Sequence, residues 1–309
     1  MTHPLDALKG KMPYLPPDML IDRYSFTGDI LSYGRCSKQY GKFKYYGFSK
    51  ALPIQAWFGD VVHMTIELLF RQVKGDIKDS LNSISSGTLP SDDDVEFHAT
   101  ESMNILKSKG MFGRKADREF VLELLKVFNL KEGLSFYKRI IKSEVRLETI
   151  ISPSTGNRPY IMNGIIDVLA SPTPGVIEIW DYKAMVKPPS GDPKLTSLEN
   201  QMYNYVEIVQ SLFPKYTITT AVLYFINELG PKGTGNPVHK IDLTSSTVST
   251  CITAARDDAN DVVEEIRKAK LTGTFPDPPK GSVDVKTCDA CEWRWHCTSA
   301  SKTYTLHAP

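Results

Sequence analysis

The sequence predicts an α/β fold with a mixed central sheet flanked by helices. Three features of the 309-residue chain carry that prediction. Apolar residues recur with helical spacing up to about residue 140, the period then drops to two, and helical and strand-like segments alternate thereafter. With 41% hydrophobic and 24% charged residues, the composition is that of an ordinary globular protein able to bury a sizeable core. The expectation is a single domain over residues 1–309, with a helical insertion at 75–140 and a cysteine-rich segment at 280–309.

The first twenty residues, rich in Pro and Met, read as an arm. "TGDILSYGRCSKQY" opens with a capping candidate, Thr27, and helix-like spacing that puts Cys36 on an early helix at 27–45. "IQAWFGDVVHMTIELLFRQVK" has helical periodicity with His63 at its middle, "SSGTLPSDDD" reads as a loop, and "ADREFVLELLKVFNLKEGLSFYKRI" restores helix. "SEVRLETII", "YIMNGIIDVLA" and "VIEIWDYK" are strands in meander order, separated by the turn-forming "SPSTGN" and "SPTPG". Then follow a helix in "TSLENQMYNYVEIVQSLF", a buried strand in "YTITTAVLYFINEL", a neighbouring strand in "HKIDLT", and a long helix from about Ser249 to Leu271. The Pro-rich "FPDPPKGS" leads to the closing "CDACEWRWHC".

A net charge of +1 provides no global field to steer a polyanion, so nucleic acid would have to meet basic residues gathered in a groove. Lys42, Lys44, Arg114, Lys115, Lys138, Arg139 and Lys142 are the candidates; taken singly, each is an ordinary solvated side chain. The opening has no apolar run of signal-peptide type, and no later run reaches the roughly 18 apolar residues that span a membrane. A soluble cytoplasmic protein with no membrane partner is expected.

With the "SPTPG" turn centred near Thr173, antiparallel pairing sets Asp167 opposite Ile179 and Ile165 opposite Asp181. Side chains alternate with period two, so Asp167, Asp181 and Lys183 share a face that Glu178 does not. Two carboxylates beside a lysine suit phosphodiester hydrolysis: hard oxygens hold Mg²⁺ or Mn²⁺, and the ammonium orients water or offsets developing charge. His63 is an available third ligand, and its imidazole suits Mn²⁺ better than Mg²⁺. Spacing alone leaves an exposed strand with a cross-strand ion pair equally open.

Five cysteines in such a chain argue for a metal site rather than a disulfide framework. Cys288, Cys291 and Cys297 form C-x₂-C-x₅-C, and Cys36 is a better fourth ligand than Cys251, which reads as a small buried hydrophobe. Four thiolates satisfy zinc or an iron–sulfur cluster alike.

"GIIDVL" followed by "EIWDYK" and "QMYNY" resembles the PD-(D/E)XK nuclease superfamily, and the Q-x-x-x-Y element resembles its RecB-like branch. The resemblance implies a restriction-endonuclease-like fold and an active site of His63, Asp167, Asp181 and Lys183. It assigns Gln201 and Tyr205 to holding the lysine, the metal water or the DNA backbone, and the Tyr182 carbonyl to the metal shell. One cysteine ahead of the core and three behind it are similar to the iron–sulfur branch that includes CRISPR-associated exonucleases. That implies a [4Fe–4S] cluster on Cys36, Cys288, Cys291 and Cys297, stapling the N- and C-terminal segments. Trp293, Trp295 and His296 read as stacking on bases or backbone, or, for the two tryptophans and more in keeping with their place, as packing over the cluster. The implied function is a metal-dependent exonuclease acting on single-stranded DNA ends, partnered by a helicase or a CRISPR adaptation protein. The alternative is a non-catalytic iron–sulfur DNA-binding or assembly subunit, against which the complete active-site set argues. About a hundred residues separate His63 from Asp167, more than in compact relatives.

Overall fold

In the computed structural model, which describes residues 21–48, 54–75, 87–154 and 157–304, the chain builds one six-stranded mixed sheet with helices on both faces. The expected arm, residues 1–20, lies outside the described residues. The order is β1 (Arg23–Ser25), a wide helical turn (Phe26–Ile30), α1 (Leu31–Arg35), α2 (Ser37–Tyr40) and a second wide turn (Gly41–Tyr45). Three helices follow: α3 (Ile54–Lys74), α4 (Asp92–Ser108) and α5 (Lys115–Arg139). Then come β2 (Ile140–Ile151), β3 (Tyr160–Ala170), β4 (Val176–Lys183), α6 (Pro193–Leu212), β5 (Thr217–Phe225), β6 (Val238–Asp242), α7 (Val248–Thr272) and α8 (Val285–Asp289).

The period-two alternation of β4 is divided between two cores. Ile177 and Ile179 pack with Met202 and Tyr205 of α6 and Val263 and Ile266 of α7, while Trp180 and Tyr182 pack with α3, α4 and α5. Both faces are therefore covered, which is why "VIEIWDYK" is so rich in apolar residues. An aromatic block fixes β4 from the second side. Phe136 lies 5.0 Å from Trp180, and Phe128 lies 5.8 Å from Tyr182 and 5.2 Å from Tyr224.

The sheet is interrupted beside β3. β2 pairs antiparallel along one edge of β3 over its whole length, so its other neighbours share the remaining edge. β1 runs parallel to it at Ile161–Asn163, and β4 antiparallel only from Val168 to Ala170. Residues 164–167 are left, among the described residues, with no strand beside them on that edge. Here β4 leaves β3 and continues in parallel pairing with β5, Asp181 beside Leu223 and Lys183 beside Phe225.

Several sequence expectations are corrected. The pairing Val168–Trp180 is two residues out of step with the expected one, so continuing it brings Asp167 beside Asp181, not Ile179. The turn is centred one residue later than Thr173, which moves the register by two and preserves the parity. "SDDD" is a helix start, not a loop: Ser91 Oγ accepts from Asp94 N at 3.2 Å while Asp94 accepts from Ser91 N at 2.8 Å, a reciprocal cap on α4. The cap near residue 27 is Ser25, whose Oγ accepts from Gly28 N at 3.1 Å, which frees Thr27 for another use. Cys251 is exposed rather than buried. Among the described residues, no helix is long and apolar enough to cross a membrane.

Candidate active site

The interruption in the sheet is where the predicted residues meet. On β4, Glu178 faces the aromatic block, accepting from Trp180 Nε1 at 3.2 Å and pairing with Arg139 at 3.7 Å. Asp181 and Lys183 lie toward α6. Lys183 Nζ is in ion-pair contact with Asp181 Oδ2 and donates to Gln201 Oε1 at 2.9 Å. The amide nitrogen of Gln201 donates to Tyr205 Oη at 2.9 Å, Thr27 Oγ1 at 3.3 Å and Asp181 Oδ1 at 3.5 Å. Glutamine suits the position because one end accepts from an ammonium and the other donates toward a carboxylate; glutamate would repel Asp181.

Gly164 makes room for this helix face. A Cβ on it would lie 2.8 Å from Tyr205 Cε1, and the ring is buried and held by Gln201. Gly164→Ala is expected to cost about 1–3 kcal/mol through overpacking, seen as a lower denaturant midpoint with unchanged slope. A wild-type midpoint would show that the ring relocates freely.

From the other face, α3 delivers His63. Its Nδ1 stands 3.2 Å from Asp167 Oδ1 and 3.3 Å from Glu144 Oε1, and its ring meets that of Tyr182 edge-on at 5.9 Å. Asp167 Oδ2 accepts the Tyr182 N–H at 2.6 Å, a donor set free where β4 leaves β3. One ligand atom from each of His63, Glu144 and Asp167 falls within 4.8 Å of the other two. Glu144 is absent from the sequence expectations. It lies between the pairs Ser143–Val168 and Val145–Ile166, hence beside Asp167, and its φ of +47° is in the left-handed region that non-glycine residues rarely adopt. Such a conformation costs on the order of 1 kcal/mol and turns a residue of an otherwise charged, solvated-looking strand into the site. Its sequence context, "KSEVRLE", alternates charges and gives no sign of this.

The electrostatics are those of a site short of positive charge. Burial pulls the His63 imidazole toward the neutral form, but Asp167 and Glu144 outweigh it and hold its pKa well above the usual range. Burial pushes the Asp181 carboxyl up to about 6, against the Lys183 ammonium, and the charge of Asp167 adds to the rise. One turn to either side of His63, Asp60 and Glu67 are raised as well, by burial first and by the Glu144 charge second. Asp181 Oδ2 is deeply buried, and its partner is the Lys183 ammonium.

The cysteines form a second constellation. Cys36, which precedes α2 and accepts from Gln39 N at 3.4 Å, lines one cavity with Cys288, Cys291 and Cys297. The cavity is small, with a volume of about 20 Å³ open to water. Among the described residues no three cysteine sulfurs lie within 4.8 Å of one another. Burial pushes the Cys36 thiol up, the Gln39 N–H opposes this, and the other three sulfurs push it further. Trp293 and Trp295 do not line the cavity, contrary to expectation: they pack against Phe48 at 5.0 Å and Tyr304 at 5.7 Å.

A model of the PD-(D/E)XK nuclease superfamily matches residues 29–298, a span that contains both constellations. The chain belongs to this superfamily. Membership makes it a phosphodiester-hydrolysing nuclease that uses divalent ions such as Mg²⁺ or Mn²⁺, with DNA as substrate. The donors of this PD-(D/E)XK nuclease fit such an ion: ligand atoms of His63, Glu144 and Asp167 converge on one point, and the buried Asp181 carboxylate adds a further acidic group to the site. Among solved structures the nuclease is similar to one described as the crystal structure of SSO0001. The identity is 11% over 77% of this chain and 97% of that chain, with a TM-score of 0.33. No curated protein matches it.

Proposed function

We propose that this nuclease is a RecB-like iron–sulfur exonuclease that degrades DNA from single-stranded ends. The observation that carries the catalytic part is the convergence of His63, Glu144 and Asp167 beside the Asp181–Lys183–Gln201 cluster. His63 Nδ1, Asp167 and Glu144 would hold the divalent ion, with Asp181 Oδ2 and the Tyr182 carbonyl as further donors. A bound ion makes an attached water more acidic and draws charge from the phosphate oxygens. Tyr182 N–H keeps the Asp167 carboxylate in one orientation, and the positive φ of Glu144 aims its carboxylate at the same point. Lys183 Nζ, held by Asp181 and Gln201, orients the attacking water and offsets the charge that grows on the phosphate. His63 must shed its proton to act as a ligand, so metal affinity rises with pH.

Cys36, Cys288, Cys291 and Cys297 would hold the [4Fe–4S] cluster. Tetrahedral zinc with Zn–S near 2.3 Å draws its sulfurs to about 3.8 Å from one another. What favours the [4Fe–4S] cluster over zinc is the branch resemblance, because four thiolates satisfy either. The cluster ties α2 to the segment after α7, and its binding contributes to folding. The branch resemblance makes a helicase or a CRISPR adaptation protein the expected partner.

Digestion of end-labelled linear DNA and of circular single strands, with Mg²⁺, Mn²⁺ or chelator, tests the reading. Metal-dependent loss of linear single strands, survival of circles, and a rate lowered at least about 100-fold in Lys183→Ala are expected. A Lys183→Ala variant as fast as wild type would remove the catalytic assignment, and degraded circles would remove the exonuclease one.

A further inference from the structure

Between the cysteine cavity and the nuclease centre the chain runs through "KFKYYGF", residues 42–48, in which lysines alternate with aromatic residues. Tyr45, Tyr46 and Phe48 are 44%, 50% and 45% exposed, whereas the aromatic rings beneath β4 are almost fully buried. Lys42 Nζ lies 4.4 Å from the Trp293 ring centre, 5.2 Å from that of Tyr46 and 5.9 Å from that of Phe48. Phe48 meets Trp293 edge-on at 5.0 Å, and Tyr45 meets Tyr46 edge-on at 5.1 Å. The rings are held rather than loose. Tyr45 Oη donates to Lys270 O at 3.3 Å, Tyr46 Oη donates to Gly273 O at 2.7 Å, and both rings lean on Phe275. A cluster serving only to pack would bury these rings; here hydroxyl anchors fix Tyr45 and Tyr46, and Trp293 backs Phe48, while about half of each is left open.

This surface is joined to the catalytic centre through one turn of chain. Lys44 Nζ pairs with Asp29 at 3.7 Å, and Asp29 accepts from Tyr40 Oη at 3.0 Å and from Ser25 N at 2.7 Å. Asp29 and Thr27 belong to the same wide turn, Phe26–Ile30, and Thr27 accepts from Gln201 at 3.3 Å. Gln201 holds Lys183.

We propose that Tyr45, Tyr46, Phe48 and Trp293, with Lys42 and Lys44, form a stacking platform for the unpaired bases of single-stranded DNA on its way to Asp181 and Lys183. The inference rests on the nuclease reading above and specifies the form of substrate that the site takes. Every base has a π-face, so such a platform is tolerant of sequence, and the lysines match the phosphates between the bases. In duplex DNA those faces are already stacked on neighbouring bases, so the platform selects single strands.

The test is the affinity of the cluster-loaded protein for fluorescent oligo-dT and for a duplex of equal length, in chelator so that nothing is cut. Wild type is expected to prefer the single strand. Tyr46→Ala/Phe48→Ala is expected to weaken oligo-dT binding about tenfold or more, and Phe48→Ala alone by a smaller factor. Phe48→Tyr, which keeps the ring and leaves the Tyr46 hydroxyl anchor in place, is expected to bind like wild type. Thermal unfolding and iron content of each variant control for folding, and Phe48→Ala carries the comparison if the double variant unfolds. Wild-type affinity in the alanine variants, or an equal loss in the ring-keeping Phe48→Tyr, overturns the platform. If the protein cuts DNA and the alanine variants bind normally, the platform fails and the nuclease reading stands. If oligo-dT binding follows the rings but no metal supports cleavage, the nuclease reading fails instead.

Discussion

Asp181→Asn is expected to abolish DNA hydrolysis while making the metal-free protein more stable at about pH 7 to 8. The two effects have one cause. Burial raises the Asp181 carboxyl from an ordinary 3.8 to about 6, against the Lys183 ammonium, and Asp167 adds to the rise, so the folded state carries the ionised acid at a disadvantage. A raised folded-state pKa means that the penalty is absent below about pH 4, grows between there and about pH 6, and is complete above it. Two pKa units correspond to roughly 3 kcal/mol. The lysine's attraction is already contained in that difference, so the variant is expected to gain several degrees in Tm. The aromatic block beneath β4 outweighs the penalty, since each fully buried large side chain contributes about 2–3 kcal/mol. Melting curves at about pH 4 and pH 7.5, with and without Mn²⁺, check the prediction. The advantage of Asn should vanish at the lower pH and reverse with saturating Mn²⁺, because only the wild type gains the full binding energy. A variant less stable than wild type in chelator at about pH 7.5 would show that Asp181 is stabilised, not strained, by its surroundings.

On the proposed [4Fe–4S] assignment, Cys36→Ala is expected to hold close to none of the roughly four iron atoms per chain that such a cluster supplies, and to lack the brown colour proposed for the wild type. Solubility should fall, because α2 loses its tie to the segment that carries Cys288, Cys291 and Cys297. Iron and zinc content of the pure protein are the measurement. Undiminished iron would exclude Cys36 as a ligand, and a colourless wild type with one zinc would replace the cluster by zinc.

Much of the fold and of the candidate site was legible in the sequence, and the exceptions have a common origin. β3 and β4 begin and end where the sequence places them, because alternation is sharp and Gly, Pro and Ser punctuate both turns. His63, Asp167, Asp181, Lys183, Gln201 and Tyr205 come together at one place. The start of α4, inside the expected helical insertion, was hidden because "SDDD" looks like a solvated turn, although three acids on a helix N-terminus behind a serine are favourable to its dipole. Glu144 was hidden for another reason. It enters the site through a cross-strand neighbour and a backbone angle, and neither the β2–β3 register nor a positive φ at a non-glycine residue is written in local pattern. The two-residue error in the β3–β4 register belongs to the same class: loop geometry, not strand composition, decides it.

The missing neighbour along residues 164–167 of β3 also determines what a transplant of this chemistry would require. A designer who moved only the β3–β4 hairpin and α6 to a new scaffold would carry Asp167, Asp181, Lys183 and Gln201, yet the two strands would be free to zip together through their ends. Pairing would claim the Tyr182 N–H that now steadies Asp167. β1 and the turn after it are what keep the strands apart, filling the same edge from the opposite end and resting Thr27 against Gln201. The smallest portable unit of this nuclease therefore includes three residues of strand that hold none of its ligands.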